Sequence, residues 1–252
     1  MIDPVLMSLG FAVGTLVGLT GIGGGSLLTP LLILVAGTRP VVAVGTDLAF
    51  AAITKAVGAW QHARGGTADV RLTLHLASGS VPGALLGAQL VSWLESVNAA
   101  GADALVARIL GVSLLLAAGT SFLRAAGSTV AIGAERRPGP LAAGLLGLGI
   151  GMLVGFTSIG AGSLLMAAFA LLYALPAARA VGTDVLHGAI LAAVAAVAHG
   201  AAGRVELPML ANLLAGSLPG VVLGGHLCGR LPNRPLRVGV AAMLAVSGAR
   251  LV

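Results

Sequence analysis

Gly18-Leu-Thr-Gly-Ile-Gly-Gly-Gly-Ser-Leu-Leu-Thr29 lies inside otherwise continuous apolar sequence, and Gly21, Gly23, Gly24 and Gly25 crowd into its middle. Glycine weakens a helix because it holds more backbone freedom than any other residue, so this density predicts that the chain unwinds here. Hydrocarbon offers no partner to the freed N–H and C=O groups, and such a break belongs where it faces protein or a watery cavity. Ser26 opens a new apolar run and reads as an N-cap. The helix behind it would aim unpaired N–H groups and a positive dipole end at the turn, an arrangement that suits an anion.

Nearly the same stretch returns as Gly155-Phe-Thr-Ser-Ile-Gly-Ala-Gly-Ser-Leu-Leu-Met166, displaced by 137 residues without a gap. At that displacement Val44-Gly-Thr-Asp47 falls on Val181-Gly-Thr-Asp184, His62 on His199, and Gly79-Ser-Val-Pro-Gly83 on Gly216-Ser-Leu-Pro-Gly220. Residues 18 to 90 match their counterparts at 29 of 73 positions, where composition alone would give roughly 8. The chain is a duplicated half.

With 58% apolar and 9% charged residues, almost the whole length suits a bilayer and no soluble domain is left over. The class is an all-α polytopic membrane protein. The net charge of +6 comes from arginines scattered through the connections, which form neither a basic stripe nor an aromatic-interleaved patch, so nucleic acid is not expected as a partner. Cys228 is the one cysteine and reads as a small buried residue; no histidine or carboxylate cluster has metal-ligand spacing, and no cofactor is expected. No Gly-x-x-x-x-Gly-Lys-Ser/Thr sequence occurs, so ATP drive would need another subunit.

Apolar runs predict spans at 4 to 20, 26 to 37, 41 to 62, 71 to 94 and 103 to 124, repeated at 141 to 157, 163 to 175, 178 to 200, 207 to 228 and 235 to 252. The second of each set is too short to cross a hydrocarbon core of about 30 Å, so the first two form a re-entrant hairpin. That hairpin sends nine arginines to one side (64, 71, 124, 136, 137, 179, 230, 234 and 237) and leaves Arg39, Arg108, Arg204 and Arg250 on the other. The richer side is cytoplasmic by the positive-inside rule, with both termini periplasmic. Each half then crosses an odd number of times. The halves, 1–124 and 141–252, are therefore expected as inverted five-element repeats, each a Gly-rich broken hairpin followed by three transmembrane helices, joined by a cytoplasmic linker at 125–140. Met1 to Pro4 has no basic residue, so the first apolar run is not expected to be a cleaved signal.

Asp47 and Asp184 each follow Gly-Thr at the head of an apolar run, where a carboxylate caps a helix; buried in the membrane instead, either is a candidate to carry a coupling proton. Lys55 reads either as a snorkelling side chain or, since Ala192 is its counterpart, as an asymmetric charge in a shared site. His62 and His199 end their helices, where imidazole bonds the last carbonyls or serves in gating. Pro82 and Pro219, each preceded by Gly-Ser-x, shape their helices around a cavity, with the Ser80 and Ser217 hydroxyls available to the freed carbonyls, and Trp60 and Trp93 read as interfacial anchors.

These motifs, in this order and repeated, resemble the TauE/SafE family of sulfite exporters, whose relatives include permease-like carriers of 4-toluene sulfonate. The supporting stretches are the two Gly-rich turns, the Val-Gly-Thr-Asp starts, His62-Ala-Arg-Gly-Gly-Thr-Ala-Asp69 and Gly79-Ser-Val-Pro-Gly-Ala-Leu-Leu-Gly87. The resemblance spans both halves. It implies transport of sulfite or another small organosulfur anion across a bacterial inner membrane, by export and with proton coupling as the first expectation. Such anions present three oxygens, which suit hydroxyls and backbone N–H groups. The expected binding set is Thr20, Gly21, Gly23, Gly24, Gly25 and Ser26 from one turn, Thr157, Ser158, Gly160, Ala161, Gly162 and Ser163 from the other, and Lys55. Asp47, Asp184, His62 and His199 are the coupling or gating candidates. A packing role for the glycines, an uncoupled anion channel and an intramembrane hydrolase using Ser26 or Ser163 are the competing readings. A homodimer is compatible with the sequence.

Overall fold

The computed structural model of the chain describes residues 2–20, 25–125, 138–159, 162–173, 175–227 and 233–252. Gly21, Gly23, Gly24, Gly160, Ala161, Cys228 and most of the linker lie outside them, as do the side chains of Thr20 and Ser163. The described elements are α1 (Pro4–Thr20), α2 (Gly25–Leu34), α3 (Pro40–Arg64), α4 (Val70–Val97), α5 (Ala99–Ala125), α6 (Pro140–Thr157), α7 (Ser163–Ala168) continuing into a π-helical turn (Phe169–Tyr173), α8 (Ala177–Ala201), α9 (Leu207–Leu227) and α10 (Asn233–Leu251). No strand occurs among the described residues.

Helix starts follow local chemistry. Pro40 and Pro140 occupy first turns, where a missing N–H removes no helical bond. Asp3 caps α1 by accepting from the Val5 and Leu6 N–H groups at 2.9 and 3.2 Å. Asp69 caps α4 by accepting from the Leu72 N–H at 3.0 Å. Gly66 and Gly203, with φ of +65° and +71°, let the chain turn sharply after α3 and α8.

Among the described residues six helices are long and apolar enough to cross a membrane: Pro40–Arg64, Val70–Val97, Ala99–Phe122, Pro140–Thr157, Ala178–Ala201 and Leu207–Gly224. Their outer surfaces carry Val57, Leu74, Leu86, Trp93, Val197 and Val222, all exposed, as suits lipid contact. The ten residues of α2 span only about 15 Å, half of a hydrocarbon core. α1 begins and α2 ends at the same end of the molecule. There the Asp3 N–H bonds the Asn212 side-chain oxygen in the first turns of α9 at 2.9 Å, and Arg39, at the head of α3, bonds Asp103 at 2.8 Å.

α4 packs along α6, α1 along α9, α3 crosses α8, and α5 lies on α10. Glycine makes the first two contacts close. A Cβ at Gly79, Gly83 or Gly87 would strike the backbone of α6 at Gly144, Leu148 or Met152. A Cβ at Gly216, Gly220 or Gly224 would strike α1 at Met7, Phe11 or Thr15. Every residue of the second set stands 137 positions from its counterpart in the first, so the duplicated glycine stripes make duplicated interfaces with exchanged partners.

Candidate functional site

The repeated Val-Gly-Thr-Asp segment is not a helix start. α3 begins at Pro40 and α8 at Ala177, which puts Asp47 and Asp184 about two turns inside their helices and removes the capping reading. Glycine, threonine and aspartate each have a separate task there. Gly45 lets α3 approach the Arg204 backbone, and Gly182 lets α8 approach the backbone of Thr67 and Ala68. The Thr46 hydroxyl accepts the Glu206 N–H at 3.1 Å, and the Thr183 hydroxyl accepts the Asp69 N–H at 2.9 Å. Each loop that leads into α4 or α9 is thus clasped by the long central helix of the other half. With that clasp made, the neighbouring aspartate is turned into the protein.

Asp47 is fully buried, and its Oδ2 accepts two hydroxyls: Thr29 on α2 and Ser158 at 2.8 Å, from the break after α6. The two hydroxyl oxygens are themselves 2.7 Å apart. One carboxylate oxygen therefore joins the returning helix of the first half to the break of the second. Asp47 Oδ1 is buried without a hydrogen-bond partner among the described residues. Ser158 ends α6 in the left-handed conformation, φ +64° and ψ −11°, and is the one non-glycine residue with positive φ among those described. Its counterpart in the first half is Gly21, which would adopt that conformation without strain. A serine held there against its preference marks a place where the side chain is needed.

Asp184 is 8% exposed, and its Oδ2 lies 3.9 Å from where a Cβ on Gly162 would stand, so the second carboxylate borders the second break. Thr157 is buried and spends its hydroxyl on the Leu153 carbonyl at 2.8 Å, tying the end of α6 rather than reaching Asp47. Ser26 is the second residue of α2, not its cap, because the helix already begins at Gly25. Lys55 stands two turns beyond Asp47 on α3 and is half-buried. The structure does not bring His62 to this centre: fifteen residues of helix separate it from Asp47, about 22 Å along the axis. His199 is as far from Asp184 along α8, but it is bonded to Gly155, one turn before Ser158 on α6.

His62 bonds the Thr67 hydroxyl through Nδ1 at 2.8 Å, in the turn after α3. His199 is fully buried, and its Nε2–H donates to the Gly155 carbonyl at 2.7 Å, on α6 rather than on its own helix end. Arg204 has its NH1 3.5 Å from His199 Nδ1. It also donates to Glu95 at 2.6 Å, to the Ser92 hydroxyl at 2.5 Å and to the Ala88 carbonyl at 3.3 Å, while only 4% exposed. Glu95 and Asp103 in turn receive Arg39, whose guanidinium pKa they raise, the Asp103 hydrogen bond foremost. This cluster ties the second half to α4 at one end of the molecule. At the other end a cavity of about 260 Å³ opens beside Asp69, Arg71, His75 and Tyr173, where Asp69 pairs with Arg179 at 3.6 Å. Arg64 lies 4.3 Å over the exposed Trp60 ring at that end.

Sequence reasoning did not single out Thr29, Glu95 or His187, nor Arg204 as a buried group, and it assigned the Ser80 hydroxyl to the carbonyls freed by Pro82, whereas Ser80 bonds His187. The one signal available for Thr29, His187 and Arg204 was a mismatch in the repeat, where Met166, Phe50 and Thr67 are their counterparts.

A family model described as Sulfite exporter TauE/SafE matches residues 6–251. The probable membrane transporter protein YjnA of Bacillus subtilis (strain 168) is 38% identical over 257 residues, which cover 98% of each chain. The probable membrane transporter protein YdhB of the same organism is 26% identical over 248 residues, covering 96% of this chain and 97% of its own. No solved structure matches.

Proposed function

The chain belongs to the TauE/SafE sulfite exporter family, a family of membrane transporters rather than enzymes, and from that premise we propose that it is a secondary transporter carrying sulfite or a small organosulfonate across the bacterial inner membrane, by proton-coupled export. The observation that carries this reading is the meeting of Thr29, Ser158 and Asp47 on one buried oxygen, because it joins elements of both halves at one polar point within a helix long and apolar enough to cross a membrane. The exchanged glycine interfaces support an inverted relation between the halves: α1 stands to α9 as α6 stands to α4. Two such halves rocking about a shared midplane site is a recurring plan of secondary transporters.

In this account the glycine-rich breaks at 20–26 and 157–163 lend N–H groups and hydroxyls to the anion. Asp47 takes up the coupled proton on Oδ1, and the Arg39–Glu95–Arg204 end faces the periplasm. Purified protein in liposomes, assayed with sulfite, taurine, thiosulfate and acetate, tests it: saturable flux of a sulfur oxyanion above that of protein-free liposomes is expected. Equal leakage of all four anions would favour a channel, and no flux of any would sink the proposal.

A further inference from the structure

A substrate that lies on the axis between two inverted halves would meet the same side chains from each. The central residues of this chain do not supply that. Lys55 stands where the second half has Ala192, and His187 where the first half has Phe50. Thr29 and Ser158, which hold Asp47, stand where the other half has Met166 and Gly21. These four departures from the repeat lie on the two central helices, on α2 and at the break after α6.

His187 is fully buried, with Nε2 2.8 Å from the Ser80 hydroxyl of α4. No other acceptor for the Ser80 hydroxyl hydrogen is found among the described residues, and on that ground we assign Ser80 as the donor to Nε2, which puts the ring proton on Nδ1. Nδ1 is buried and has no partner among the described residues. A buried donor left unpaired costs about 1–3 kcal/mol, which a protein tolerates where something else is to be bound. Lys55 is half-buried and forms no ion pair among the described residues. α3 and α8 cross with Gly58 against Val185, which brings Lys55, one turn before Gly58, level with His187.

We propose that Lys55 and His187 form a two-donor clamp for the anion, the ammonium and the Nδ1–H each taking one oxygen, so that the substrate sits off the axis relating the halves. This rests on the transport reading above and deepens it. The clamp suits a small oxyanion with at least two oxygens on one centre, sulfite or a sulfonate, and Ser80 acts as a positioning residue that sets the imidazole tautomer.

The test uses the full-length protein in liposomes, with initial rates of sulfite and taurine flux measured across concentration. Lys55→Ala and His187→Phe install the residues that the other half carries. Each is expected to raise the half-saturating concentration at least tenfold, and the double variant is expected to fall short of the product of the two. Lys55→Arg and His187→Gln, which keep a donor, should stay within threefold of the wild type. Ser80→Ala should move the half-saturating concentration while leaving the maximal rate nearly unchanged. If His187→Phe does not fold, His187→Leu with Lys55→Ala carries the comparison. A wild type that saturates while Lys55→Ala and the His187 variant match it within twofold overturns the clamp alone. A wild type that moves neither anion overturns the transport reading and the clamp with it.

Discussion

Ser158 donates a 2.8 Å hydrogen bond to Asp47 across 111 residues of sequence, from a left-handed backbone position, and the residue 137 positions before it is glycine. Strain and hydrogen bond belong together: the backbone is held in a costly conformation so that one hydroxyl reaches one carboxylate.

Ser158→Gly separates the two. Relief of the left-handed strain, about 1 kcal/mol, should offset part of the loss of about 1–3 kcal/mol that follows from removing a donor to a buried carboxylate, so the melting temperature should fall by an amount equivalent to about 2 kcal/mol or less. Sulfite flux should fall at least fivefold, because Asp47 Oδ2 loses a donor. Flux at the wild-type rate would remove Ser158 from the mechanism.

Gly147 and Gly149 lie two residues apart on α6, one facing the Leu76 carbonyl of α4 and the other with nothing within 4 Å. Gly147→Ala should destabilise by about 1–3 kcal/mol through overpacking. Gly149→Ala should be neutral or stabilising by up to about 1 kcal/mol, since alanine favours helix over glycine. Thermal unfolding in detergent reads both, and equal effects would contradict the packing of α4 on α6.

Arg204 is the one heavily buried cation of the end cluster. Arg204→Met leaves Glu95 with the half-exposed Arg39 alone and should cost about 3–5 kcal/mol, as breaking buried pairs does. Arg39→Met, which removes the exposed pair, should cost about 1 kcal/mol or less. A smaller loss from Arg204→Met than from Arg39→Met would refute the ranking.

Orientation is read by cysteine labelling after Cys228→Ser. Ala100 and Ala63 are exposed, near the two opposite ends. Ala100→Cys should react with an impermeant maleimide on intact cells and Ala63→Cys only after permeabilisation. The reverse pattern would invert the assignment of sides.

The helical spans were legible because apolar runs end at arginine, proline or glycine: Arg39-Pro40 announces α3, and Gly139-Pro140 announces α6. The site was legible only in part. Gly-Thr-Asp looked like a helix start because glycine and threonine commonly precede one, yet Pro40 had begun the helix seven residues earlier. What glycine and threonine do there depends on loops 160 and 114 residues away, which no local pattern reports. Ser80 and His187 are 107 residues apart, and Glu95 and Arg204 are 109 apart, so neither pair has a sequence signature. In a duplicated chain the useful signal was the reverse of similarity: polar residues where the other copy is apolar or glycine.

Sulfite accumulation in liposomes under an imposed proton gradient tests the central claim most directly, comparing wild type with Asp47→Asn and Asp184→Asn. The wild type should drive sulfite past equilibrium. Asp47→Asn should equilibrate sulfite without accumulating it, and Asp184→Asn, at the slightly exposed carboxylate beside Gly162, should retain the larger share of uphill transport. Accumulation by Asp47→Asn equal to the wild type, with the same dependence on the gradient, would contradict the account.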